Sequence, residues 1–220
     1  MGKNKLKRWA DLLTMERVFQ PNETVRTSDF ELKGKWNEIV FCNHNPIVLE
    51  LGCGRGEYTI GLANEYKQKN FIGIDIKGAR LWRGARTAND ENILNAAFLR
   101  TRIETIVNCF GANEISELWI TFPDPQPGDR EHKRLTNPRF ILAYKKFLCS
   151  NGIIHLKSDD QDFFDYSTEI LKTFPGKFIF HTSDLYKDIT NDKILSIKTT
   201  YEGIWLAKGK KIGYLSFQFE

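Results

Sequence analysis

The segment Glu50-Leu-Gly-Cys-Gly-Arg-Gly56 places three glycines at alternate positions between an apolar run and a helical pattern. Glycine has no Cβ, so this backbone can pass close under a ligand, and the carboxyl edge of a parallel sheet is where such a loop serves. The spacing is GxGxG, and Glu57 stands where a dinucleotide fingerprint has its last glycine. A carboxylate at a helix N-terminus repels a pyrophosphate, which speaks against NAD or FAD. Asp75 ends the next apolar run, 19 residues after Gly56, where its two oxygens can accept from two ribose hydroxyls. The pair points to an adenosine. Glu50, just before the loop, suits a ligand with a positive end, such as the amino group and sulfonium of S-adenosylmethionine.

A second constellation is Thr121-Phe-Pro-Asp-Pro-Gln-Pro127, where three prolines hold Asp124 in a stiff extended backbone. Such an acid either aims into a site or caps the helix that follows. Residues 128–139 carry Arg130, Lys133, Arg134 and Arg139 against Asp129 and Glu131, a net +2 with His132 neutral. Phosphate contacts need such a patch, and a solvated loop has one too. Lys77, Arg80, Arg83 and Arg86 recur every third residue. On a helix that ridge turns through about half a circle, so two or three of them can face one phosphate track. Trp9, Trp36 and Trp82 are either stacking surfaces or core, and the basic arm Lys3 to Arg8 is either an RNA contact or a solvated terminus.

These residues need a frame. Apolar runs at 46–51, 70–75, 97–100, 117–122, 152–157 and 177–181 alternate with helical patterns near 57–67, 78–89, 138–149 and 161–174. Residues 212–219 then alternate apolar and polar after the turn Lys208-Gly-Lys-Lys211. The rhythm predicts an α/β fold: a Rossmann-like, doubly wound, mostly parallel seven-stranded sheet with an antiparallel C-terminal edge strand and helices on both faces. Residues 1–220 read as one domain, with 1–45 as an N-terminal arm of helix and loop outside the rhythm.

With 220 residues, 41% hydrophobic and 27% charged, the chain can bury a sizeable core, and disorder is excluded. A formal charge of +4 permits a polyanionic partner without requiring one. Cys42, Cys53, Cys109 and Cys149 have no zinc-ligand spacing, so no metal is expected and free thiols in a reducing cytoplasm are. No apolar run reaches the roughly 18 residues of a membrane helix, and Asp11, Glu16 and Arg17 interrupt any signal region.

Taken together, these motifs resemble those of the bacterial tRNA (guanine-N(7)-)-methyltransferase family. The resemblance runs from Lys33-Gly-Lys-Trp-Asn37 and Asn45-Pro-Ile47 through the glycine loop, Phe71-Ile-Gly-Ile-Asp75, Phe122-Pro-Asp-Pro125 and His132-Lys-Arg-Leu-Thr136, to Leu156-Lys-Ser-Asp159 and Thr199-Thr-Tyr-Glu202. It implies S-adenosylmethionine as cofactor, held by Glu50, Gly52, Cys53, Gly54, Gly56, Asp75, Ile76, Arg102, Ile103 and Asp124. It implies Asp124 as the catalytic acid at the boundary of cofactor and guanine. It implies Gly128, Asp159, Thr199, Thr200, Tyr201 and Glu202 as contacts to a guanosine of tRNA, in the variable loop. The oligomeric state, monomer or homodimer, stays open.

The sequence departs from the family at three points. Arg102-Ile103 stands where the family has an Asp for the adenine, Gln126 replaces a tryptophan and Gly128 a lysine. A methyltransferase acting on another RNA or a small molecule, and an RNA-binding relative without catalysis, therefore remain alternatives, with a nucleotide-linked oxidoreductase third.

Overall fold

The computed structural model describes residues 3–189 and 191–220, with side chains from Leu6 onward, so the side chains of Lys3 and Lys5 in the basic arm lie outside the described residues. Helix α1 (Lys3–Leu12) and a two-residue strand β1 (Val18–Phe19) precede the βα rhythm. There follow β2 (Ile47–Leu51), α2 (Glu57–Glu65), β3 (Asn70–Ile74), α3 (Gly78–Asp90), β4 (Ala96–Leu99), β5 (Ile115–Thr121) and α4 (Pro138–Tyr144). Then come β6 (Leu148–Ser158), α5 (Gln161–Lys172), β7 (Gly176–Thr182), the short helices α6 (Leu185–Asp188) and α7 (Thr200–Ala207), and β8 (Gly213–Phe219).

Every residue of β2, β3 and β4 is buried, which is why these strands read as unbroken apolar runs rather than as alternation. The strand order is β1-β4-β3-β2-β5-β6-β8-β7, with all pairings parallel except those of β8. The fold class stands, with two refinements. The sheet has eight strands instead of seven, because Val18 and Phe19 of the arm pair with Phe98 and Leu99, a pairing too short to show periodicity. The C-terminal strand is antiparallel as expected but lies one place in from the edge. Its residues are nearly all buried, whereas β7 leaves Ile179 and Phe180 exposed and therefore takes the edge.

The order reverses between β2 and β5, so the crevice at their carboxyl ends is the topological switch point where such sheets bind ligands. Two side-chain layers sandwich the sheet, one around Leu49, Ile72 and Leu118, the other around Val48, Phe71 and Trp119. Trp36 is fully buried in the first, with Nε1 donating to the Cys109 carbonyl at 2.8 Å, which excludes it as a surface for stacking RNA. The arm is docked: Leu12 is buried, and Trp82 on α3 donates to Asp11 at 3.1 Å. Below the glycine loop the chain is tight, for a Cβ on Gly56 would lie 3.1 Å from Gly84 Cα and closer still to the Phe98 ring.

Candidate active site at the carboxyl edge of the sheet

Gly52, Gly54 and Gly56 have φ of +70°, +55° and +69°, so each takes a left-handed backbone that side chains oppose. A Cβ on Gly52 would meet nothing within 4 Å, and one on Gly54 only the Gly52 carbonyl at 3.9 Å. The loop thus has an open face, against which a ligand can lie, and a packed heel at Gly56. Asp75 borders the open face. Its Oδ2 accepts from Gly54 N at 3.0 Å and its Oδ1 from Lys77 N at 2.7 Å, which leaves lone pairs on both oxygens for a ribose diol. Ile76, next in the chain, is exposed and, with Arg102, lines a cavity of about 250 Å³; Ile103 is half-buried. Open glycines, Asp75 and the apolar Ile76 fit an adenosine, and Arg102 presents a cation where the family has a carboxylate. Asp75→Ala is expected to weaken S-adenosylmethionine binding by about 1–3 kcal/mol; an unchanged affinity in calorimetric titration moves the ribose to another residue.

Glu50 differs from expectation. Instead of facing the positive end of a ligand, it is buried beneath the loop with both oxygens engaged. Oε1 accepts from Thr121 Oγ1 at 2.6 Å, and Oε2 from Thr59 N at 2.8 Å and from the Thr59 hydroxyl. It ties the glycine loop to α2 and to the end of β5. Burial pushes its pKa up to about 7, against the opposing hydrogen bonds of Thr121 and Thr59. The folded state therefore retains a proton that the unfolded chain loses above its own value of 4.5. Stability from this group falls as pH rises from 4.5 to about 7 and is level beyond. Relative to Glu50→Gln, the wild type is expected to lose about 3 kcal/mol of unfolding free energy across that window; parallel curves in denaturant titrations at pH 5 and pH 8 refute it. Cys53 is buried beside it, and burial raises its thiol pKa well above the ordinary value, so it stays a neutral part of the loop.

Asp124 is exposed at the end of β5, across the switch point from the glycine loop. Its Oδ1 accepts from Gln126 N at 3.2 Å. Phe122 and Gln126, on either side of Pro-Asp-Pro, have φ of +49° and +46°, a strained conformation for non-glycine residues that costs of order 1–3 kcal/mol each. The capping alternative fails, since α4 is capped by Asn137. The basic patch also thins out. Arg134 turns inward to the Pro125 carbonyl at 3.0 Å and stacks 4.4 Å over Tyr166, and Arg139 lies over Phe140. Within residues 128–133 Arg130 and Lys133 are matched in number by Asp129 and Glu131, and Glu131 lies 3.9 Å from Arg134. Gly128 is exposed with φ +62°, a conformation the family's lysine would strain.

Thr199 to Glu202 begins helix α7, with Thr199 as its N-cap. Thr199 Oγ1 accepts from Glu202 N at 3.1 Å while Glu202 accepts in return from Thr199 N, a capping box whose Thr-x-x-Glu pattern was present in the sequence. Thr200 is fastened to the glycine loop: its N donates to Glu57 at 2.7 Å, its hydroxyl also donates to Glu57, and Arg55 donates to it at 3.2 Å. Tyr201 is exposed. Glu202 is fully buried, paired with the equally buried Lys157 at 2.7 Å and accepting from the Tyr186 hydroxyl at 2.6 Å. Asp159 pairs with Lys210 at 2.6 Å, and its neighbour Asp160 caps helix α5. Lys157, Tyr186 and the bridging role of Glu57 are contacts that sequence reasoning missed. Among the described residues no group of acids, histidines and cysteines could hold a metal ion.

Comparison with known proteins agrees with this geometry. A family model described as "Putative methyltransferase" matches residues 44–215. The tRNA (guanine-N(7)-)-methyltransferase of Bacteroides fragilis (strain YCH46) is 50% identical over 99% of this chain and 86% of its own. That of Christiangramia forsetii is 48% identical over 100% of this chain and 99% of its own. A crystal structure of the 16S rRNA methyltransferase KamB, 10% identical, superposes with a TM-score of 0.63 over 83% of this chain and 92% of its own, which is a likeness of fold. Identity at this level along the whole length, on a sheet whose switch point carries the glycine loop, Asp75 and Asp124, leaves one conclusion: the chain belongs to the tRNA (guanine-N(7)-)-methyltransferase family.

Proposed function

We propose that this protein transfers the methyl group of S-adenosylmethionine to N(7) of a guanine in tRNA, in the variable loop. The observation that carries the reading is the open-faced glycine loop with Asp75 on one side of the switch point and Asp124 on the other. When bound, the cofactor supplies an electrophilic methyl group. Asp75, Ile76 and the backbone of Gly52 and Gly54 hold the adenosine end, with Arg102 and Ile103 beside it, and Glu50, Cys53 and Gly56 fix the loop from below. Guanine N(7) has a lone pair and no proton, so no base is needed, and the rate must come from alignment and electrostatics. Asp124 accepts from the N–H edge of guanine, aligns the ring and stabilises the positive charge that grows on it. Thr200 and Tyr201, with Thr199, Asp159, Gly128 and Glu202 around them, complete the guanosine side, Glu202 acting from within through Lys157. A guanosine in folded tRNA must leave its stack, at a cost of a few kcal/mol.

The same reading takes the whole chain as one methyltransferase domain, supported by a single sheet that runs from Val18 to Phe219. It assigns the protein to the cytoplasm, where its substrate resides. Among the described residues no helix is long and apolar enough to cross a membrane. The test is transfer of labelled methyl from S-adenosylmethionine to unmodified tRNA, with nucleoside digestion. 7-Methylguanosine in the digest is the expected result. Cofactor binding without incorporation points to another acceptor, and absence of both favours a non-catalytic RNA-binding protein.

A further inference from the structure

A cavity of about 730 Å³ opens between α1, α3, the glycine loop and the start of α7. Four arginines line it: Arg8 from α1, Arg55 from the glycine loop, and Arg80 and Arg83 from α3. The acid on its wall, Glu57, is already engaged by Thr200. Among the described residues, none of Arg55, Arg80 and Arg83 forms an ion pair. Arg8 is held in place, 4.9 Å over the Trp82 ring, whose Nε1 is in turn anchored on Asp11. Of the ridge Lys77, Arg80, Arg83 and Arg86, only the middle two line this cavity, and Arg86 is turned to Asp90 at 2.8 Å.

Four guanidinium groups from three elements against the one carboxylate of Glu57 leave more positive charge than a single small anion needs, and they match a polyanionic strand. Arg80 and Arg83 are neighbours one helical turn apart, about 5–6 Å between Cβ atoms, which suits successive phosphates. The cavity reaches Thr200 and the exposed ring of Tyr201, on which a base next to the target can stack. The loop 128–133, by contrast, has no surplus charge to offer.

We infer that Arg8, Arg55, Arg80 and Arg83 form the groove that grips the tRNA backbone beside the target guanosine; this rests on the tRNA reading of the site. The experiment measures tRNA affinity between 50 and 200 mM salt, and S-adenosylmethionine affinity in parallel, for the wild type and for Arg80→Gln/Arg83→Gln. The double variant is expected to bind tRNA about tenfold or more weakly, with a log–log salt slope reduced by about two, one per arginine. Its cofactor affinity stays at the wild-type value, and Arg86→Gln keeps the wild-type slope. If the double variant loses the cofactor as well, single Arg80→Gln decides, with a slope reduced by about one. An unchanged slope, or a loss of slope that appears in Arg130→Gln/Lys133→Gln instead, overturns the groove while tRNA methylation by the wild type stands. A wild type that binds no tRNA overturns the underlying reading.

Discussion

Alanine at position 124 lowers the rate of methyl transfer by about two to three orders of magnitude and leaves S-adenosylmethionine binding measurable. Asp124 is exposed, and one of its oxygens takes a single hydrogen bond from Gln126 N, so most of its accepting capacity is free for a ligand. The left-handed backbone at Phe122 and Gln126 holds that orientation before any substrate arrives. Because the nucleophile has no proton to lose, the carboxylate acts through charge and position, and its removal is felt more in kcat than in KM. Asp124→Asn keeps the shape and one acceptor without the charge, so its rate falls between wild type and alanine. Single-turnover assays alongside cofactor titration check both variants; wild-type turnover in the alanine variant removes Asp124 from the chemistry.

Lys157→Met is the second large effect, and it acts on stability. Lys157 and Glu202 are both without exposed surface; Lys157 Nζ also donates to the Leu195 carbonyl at 3.1 Å and lies over the rings of Tyr58, Phe122 and Tyr186. Burial pulls the lysine pKa down, and the Glu202 carboxylate opposes that pull. Removing the lysine leaves a buried carboxylate with hydrogen bonds from Tyr186 and Thr199 but no counter-charge, at a cost of about 3–5 kcal/mol. In a chain of this size that lowers the melting temperature by roughly 6–20 °C. Lys157→Met/Glu202→Gln recovers much of the loss, because the second substitution removes the stranded charge. Thermal unfolding of the two variants side by side checks the expectation, and equal melting temperatures for Lys157→Met and wild type refute it. The same pair anchors the start of α7, so Lys157 is a positioning residue for Thr200 and Tyr201.

The strands were legible in the sequence because β2, β3 and β4 are buried on both faces and read as apolar runs, while β8 alternates. Their lateral order was not, since which strand lies outermost depends on which exposes its side chains, and Ile179 and Phe180 show that only in place. Asp75 and Asp124 were legible because strand ends at one edge of a parallel sheet converge. The other side of the site was not, because its contacts join residues far apart in sequence: Glu57 to Thr200, Lys157 to Glu202, Asp159 to Lys210. In the loop 128–139 a count of charges does not show that Arg134 and Arg139 pack on rings, which takes the tertiary structure to see. At Thr199 the Thr-x-x-Glu capping-box pattern marks a helix start that the apolar periodicity of the segment does not show.

The contact between Gly56 and Gly84 extends the cofactor loop beyond its own motif. A methyl group on Gly84 would lie 2.8 Å from the Arg55 carbonyl, 2.9 Å from Gly56 Cα and 2.7 Å from the Phe98 ring. The shape of the loop is therefore imposed from a helix 28 residues further along the chain. For grafting, the portable unit is the loop together with Gly84 and Phe98; the motif transplanted alone leaves its mould behind.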